Sequence, residues 1–134
     1  MNARNLTIAF ALVAPCCVLA QSSEIKTISA ECTTEPTGIS GERYNCDSDV
    51  SVLRAPEGFV FAVDTASASE TSGAGSEHSC NLGWDDWVEV IPGTQITQPR
   101  KMTLSAHARG PSGHLAGRGW AKCKYTVMLS RYLR

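Results

Sequence analysis

Apolar and polar residues alternate with a period of two along most of this chain, the spacing of half-buried strands and not of helices. Ile28, Ala30 and Cys32 alternate with Thr27, Ser29 and Glu31, which predicts a first strand. A turn follows at Glu35-Pro36-Thr37-Gly38, then a second strand around Arg43 to Cys46 and a short third run from Val50 to Leu53. Ala55-Pro56-Glu57-Gly58 suits a tight hairpin turn with proline at its second position, where the ring fixes φ. Phe59-Val60-Phe61-Ala62-Val63 is the most apolar segment beyond the N-terminal region and reads as a central strand, with Phe59, Phe61 and Val63 on one face.

Residues 65–76 contain almost nothing large enough to pack, and their small, polar composition predicts a mobile surface loop. Strand character returns from His78 to Leu82 and again from Trp87 to Ile91, ending at Pro92-Gly93. Met102, Leu104, Ala106 and Ala108 alternate with Thr103, Ser105, His107 and Arg109. In the last strand Ala121, Cys123, Tyr125, Val127 and Leu129 oppose Trp120, Lys122, Lys124, Thr126 and Met128. Glycines 110, 113, 117 and 119 lie between these two runs, so residues 100–129 read as a hairpin. About seven or eight short strands, Gly/Pro turns and no amphipathic helix predict an all-β fold, an antiparallel β-sandwich or small barrel.

The N-terminus departs from this pattern. Arg4 precedes an apolar run from Leu6 to Ala14, Pro15 breaks it, and Val18-Leu19-Ala20 offers small or compact residues before a cut at Gln21. Residues 1–20 therefore read as a cleavable secretory signal peptide, and the run is too short to cross a membrane. Residues 21–134 then form a single domain, secreted or periplasmic and not membrane-spanning.

Export changes how the cysteines read. Of six, Cys16 and Cys17 leave with the signal, and Cys32, Cys46, Cys80 and Cys123 remain. An even number in a small exported domain predicts two disulfides. Cys32–Cys46 with Cys80–Cys123 is the preferred pairing, because the first pair flanks a short Pro/Gly-containing turn. No Cys-x-x-Cys or His-x-x-x-His spacing points to zinc, so no metal or cofactor is expected.

Charge is unevenly distributed. Residues 21–99 hold three basic residues, Lys26, Arg43 and Arg54, against all thirteen acids, whereas residues 100–134 hold eight basic residues and no acid. Such asymmetry marks either a face for an anionic partner or basic strands that pair with acidic ones. A net-acidic mature chain argues against nucleic acid as the partner.

Two groups of residues stand out as candidate sites. Trp84-Asp85-Asp86-Trp87 sets two indoles around two carboxylates, a pattern that suits a sugar-stacking platform or a protein contact and, in the plainer case, a turn with Trp87 in the core. His107 and Arg109, with Thr103 and Ser105, are expected to neighbour Trp120, Lys122 and Lys124 across the final hairpin as a basic and aromatic strip. His78, His107 and His114 are scattered, and no Gly-x-Ser-x-Gly elbow or phosphate loop accompanies them. The expected function is non-enzymatic recognition of another protein, in an inhibitory mode or otherwise, through a sheet face or loops. A carbohydrate-binding module for extracellular glycan, using Trp84 and Trp87 with Asp85 and Asp86, is the second reading. A small secreted hydrolase is the third.

Overall fold

The computed structural model describes residues 24–132, so the signal peptide, its cut before Gln21, and Cys16 and Cys17 lie outside the described residues. The described residues form seven strands: β1 (Ile25–Thr33), β2 (Asn45–Asp47), β3 (Ser51–Arg54), β4 (Phe59–Ala74), β5 (Glu77–Glu89), β6 (Thr97–Arg109) and β7 (Trp120–Arg131). Every pairing is antiparallel. In one sheet β7 runs between β1 and β4; in the other β6 runs between β5 on one side and β2 and β3, end to end, on the other. The molecule is an all-β antiparallel sandwich.

The alternation seen in the sequence sets the two inner faces. Met102, Leu104, Ala106 and Ala108 of β6 are buried against Ala121, Cys123, Val127 and Leu129 of β7, with Phe61 fully enclosed between the sheets. Trp84 packs on this core with its ring 6.1 Å from that of Phe61. Phe59 also packs there, whereas Val63 lies beyond a register break after Ala62 and leaves the shared face.

Both expected disulfides are present, and each joins the two sheets. Cys32–Cys46 links β1 to β2 and Cys80–Cys123 links β5 to β7, with Cα atoms 5.9 and 5.8 Å apart. The cross-strand neighbour of Cys32 is Ala121, of Cys46 Ala108 and of Cys80 Ala106, and Cys123 has Ala30 on one side and Thr71 on the other. Methyl side chains beside each sulfur leave the inter-sheet space that a crossing bridge occupies.

Four further expectations are corrected. Residues 65–74 are not a loop but the second half of β4, laddered to β7 through pairs such as Thr71 with Cys123 and Ser72 with Lys122. Main-chain hydrogen bonds order them, and these are blind to side-chain size. Gly73 suits the position, because a Cβ there would meet the His78 ring at 2.5 Å. The two strand fragments expected around His78–Leu82 and Trp87–Ile91 are one strand, β5.

β6 and β7 do not form a hairpin. They lie in different sheets, and residues 110–119 carry the chain from one to the other across the end of the sandwich. The true hairpin is β5–β6, in one register over the whole length of β5. The turn before β4 is likewise a corner between sheets, closed by the Phe59 N–H donating to the Pro56 carbonyl at 3.0 Å, with Gly58 at φ 82°.

Candidate functional site: interlocked loops at one end of the sandwich

Residues 34–44, after β1, and residues 110–119, before β7, meet at one end of the sandwich and are tied by main-chain and threonine hydrogen bonds. The Thr34 N–H donates to the Gly119 carbonyl and the Thr37 N–H to the Gly117 carbonyl, both at 2.8 Å. The buried Thr34 hydroxyl accepts from the Gly119 N–H at 2.8 Å and donates to the Glu35 carbonyl. The equally buried Thr37 hydroxyl lies 3.1 Å from the carbonyls of Pro111 and Gly117. Arg118 closes the set, donating to the Thr34 carbonyl at 3.0 Å. Cys32–Cys46 anchors the first loop at both of its ends.

On this frame two aliphatic side chains stand in water. Ile39 is 80% exposed and Leu115 is 71% exposed. Their segments touch: His114 Nδ1–H donates to the Ile39 carbonyl at 2.8 Å, and the Leu115 N–H reaches the Gly38 carbonyl at 3.4 Å. Leu115 has φ 51°, a left-handed conformation that costs a residue with a Cβ about 1–2 kcal/mol. Strain and exposed apolar surface at one loop tip are a physical combination that folding alone does not favour. Sequence reading missed both residues. The available signal was a single large aliphatic side chain inside each Gly-rich turn, Thr37-Gly38-Ile39-Ser40-Gly41 and Gly113-His114-Leu115-Ala116-Gly117.

The residues singled out from the sequence fall elsewhere. Trp84 is the indole that packs on the core, and Trp87 is 50% exposed, the reverse of the turn expected with Trp87 inside. Three residues apart on one strand, the two rings fall on opposite parities of the pleat and make no common platform. Asp85 and Asp86 are both exposed. Asp85 lies 3.8 Å from Lys101 and accepts the Asp86 N–H, and Asp86 takes φ 57°.

The expected basic strip is also divided, because its two halves lie on different sheets. On the β7 side Trp120, Lys122 and Lys124 share the outer face, with the Lys122 ammonium 5.8 Å from the Trp120 ring centroid. Directly across from Lys122 stand Glu31 and Ser72, and across from Lys124 stand Ser29 and Glu70. An open groove of about 560 Å³ there is lined by both lysines and by Glu31, Asp49 and Glu70, so the face is charge-mixed and not basic.

On the β6 side His107 Nδ1 is 2.8 Å from Asp47 Oδ1, and Arg109 is exposed between Asn45 and Glu77. Ser79 is the other cross-strand neighbour of His107, which makes an acid–imidazole–hydroxyl row by register. No hydrogen bond joins Ser79 to the ring among the described residues. Nor do three or more His, Cys, Asp or Glu side chains converge to hold a metal ion among those residues.

Fold and loops together define a disulfide-stapled β-sandwich that carries a fixed apolar loop pair at one end. Comparison with protein-family models, with curated proteins and with solved structures returned no match.

Proposed function

We propose that this chain is exported and that its mature domain recognises another protein without catalysing a reaction, through the loop pair that presents Ile39 and Leu115. The observation that carries the reading is the exposure of these two aliphatic side chains on loops that several main-chain and threonine hydrogen bonds tie together. Ordering a loop before it binds lowers the entropy lost on association, so a rigid apolar tip is an efficient anchor for a protein surface. Two disulfides suit an oxidising compartment outside the cytosol. The Trp120, Lys122 and Lys124 face is a weaker candidate, because Glu31 and Glu70 stand across from its lysines and it presents no comparably exposed aliphatic pair. Trp84 packs on the core while Trp87 is exposed, so the sugar-platform reading has less support than the loop pair.

Affinity capture from the exporting cell's surroundings, followed by mass spectrometry, tests the reading. The wild-type domain is expected to retain a partner that Ile39→Ser with Leu115→Asn does not; equal retention by this variant rejects the loop pair as the contact. Intact mass of the exported protein is expected to show a start at Gln21 and no free thiol. A start at Met1 would reject export by this signal.

A further inference from the structure

We propose that the free edge of β5 accepts an extended, basic segment of another protein as an added antiparallel strand. This goes beyond the loop-pair reading and does not depend on it.

The sandwich has several strand edges, and among the described residues those other than β5 are short, irregular or partly capped, features that disfavour pairing with a further chain. On the β1 edge the Ser51 hydroxyl donates to the Ser29 carbonyl at 2.7 Å and so occupies one of its acceptors. On the same side β2 and β3 are only three and four residues long. β4 is long but is broken by two register shifts, between Ala62 and Ser67 and between Ala68 and Glu70.

β5 has none of these protections. It keeps one register against β6 from Glu77 to Asp85, holds no Lys, Arg or Pro, and borders no other strand of its sheet among the described residues. The left-handed Asp86 interrupts the ladder, which resumes in the same register at Trp87. Glu77 to Asp85 is therefore an open row of main-chain donors and acceptors.

Charge selects the occupant. From residue 55 to residue 99 the chain has seven acids, Glu57, Asp64, Glu70, Glu77, Asp85, Asp86 and Glu89, and no Lys or Arg. Glu77 and Asp85 sit on the outer face at the two ends of the open row. A second copy of β5 pairing antiparallel about Asn81 would set Glu77 against Asp85, so like charges oppose self-association in that register. On its paired side β5 already meets a complementary strand: Arg109 stands across from Glu77 and Lys101 across from Asp85. An incoming strand that repeats that spacing, with two cations eight residues apart, gives each carboxylate a second cation on its open flank. Between those cations, residues of the other parity would border Leu82 and Trp84, which are only half-buried, so small apolar side chains suit them.

The probe is a synthetic peptide alternating Thr and Val, with lysines eight residues apart, titrated into the full mature domain while amide NMR shifts are followed. Shifts are expected on Glu77 to Asp85, and a peptide with glutamates in place of the lysines is expected to bind about tenfold more weakly. In Glu77→Lys with Asp85→Lys the preference should invert. In the milder Glu77→Gln with Asp85→Asn the two peptides should bind equally. A lysine peptide that shifts other residues, or that binds all three proteins alike, overturns the proposal. Concentration-dependent dimerisation through β5, seen by sedimentation of the wild-type domain, would overturn it in favour of a second copy. Loss of capture by the Ile39 and Leu115 variant leaves the β5 inference intact, because that variant keeps both carboxylates.

Discussion

Cys80 lies directly across the β5–β6 ladder from Ala106, and two residues further along β6 Ala108 lies across from Cys46. One strand thus carries a methyl group beside a sulfur of each disulfide. Both alanines are at most 1% exposed. Enlarging either forces side chains into space that a bridge already fills. Ala106→Leu and Ala108→Leu are each expected to lower unfolding free energy by about 1–3 kcal/mol, measured by urea titration. Ala116→Leu, at an exposed loop position, is expected to leave the midpoint unchanged.

The two bridges should not contribute equally. Cys80 and Cys123 are 43 residues apart in sequence, and Cys32 and Cys46 are 14 apart. Closing the longer loop restrains the unfolded chain more. Replacing Cys80 and Cys123 with alanine is expected to cost about 4 kcal/mol, and replacing Cys32 and Cys46 about 3 kcal/mol, read from urea midpoints. An equal or reversed order would show that residual structure in the unfolded state outweighs loop length.

Thr34 tests the loop frame. Its hydroxyl is enclosed and satisfies the Gly119 N–H at 2.8 Å, so Thr34→Val keeps the shape and orphans a buried donor. The expected loss is about 1–3 kcal/mol. Amide exchange at Gly119 should accelerate in the variant, which separates this effect from a general loss of packing.

Leu115 should set stability against binding. Leu115→Gly relieves the left-handed strain at φ 51° but raises the entropy of the unfolded chain. The net effect expected is a stabilisation of up to about 1 kcal/mol, seen as a higher Tm. Partner capture should fall in the same variant. A protein that gains stability and keeps its partner would mark Leu115 as a loop residue without a contact role.

Much of the scaffold was legible from residue pattern alone. Ile28, Ala30 and Cys32 in β1, and Met102, Leu104, Ala106 and Ala108 in β6, face inward as their alternation indicated. Those positions are readable because a strand has only two faces and burial favours one of them. The disulfide pairing was reached from spacing and holds. Periodicity carries no information about which strand a strand pairs with, and the β6–β7 hairpin failed for that reason. Composition likewise misjudged residues 65–74, whose order comes from a main-chain ladder that any small side chain permits.

The candidate site was harder to read for a related reason. Trp84-Asp85-Asp86-Trp87 drew notice because tryptophan and paired carboxylates are conspicuous letters, yet the pleat sends the two rings apart. Ile39 and Leu115 are ordinary letters 76 positions apart in the numbering, and only the contact between two loops gives them joint meaning. Sequence by itself determined the strand faces, the all-β class and the four paired cysteines, because these follow from local periodicity and parity. Tertiary structure alone decided which strands share a sheet, which edge stays open and which loops meet. Those depend on where the chain crosses between sheets, and no short-range pattern encodes that crossing.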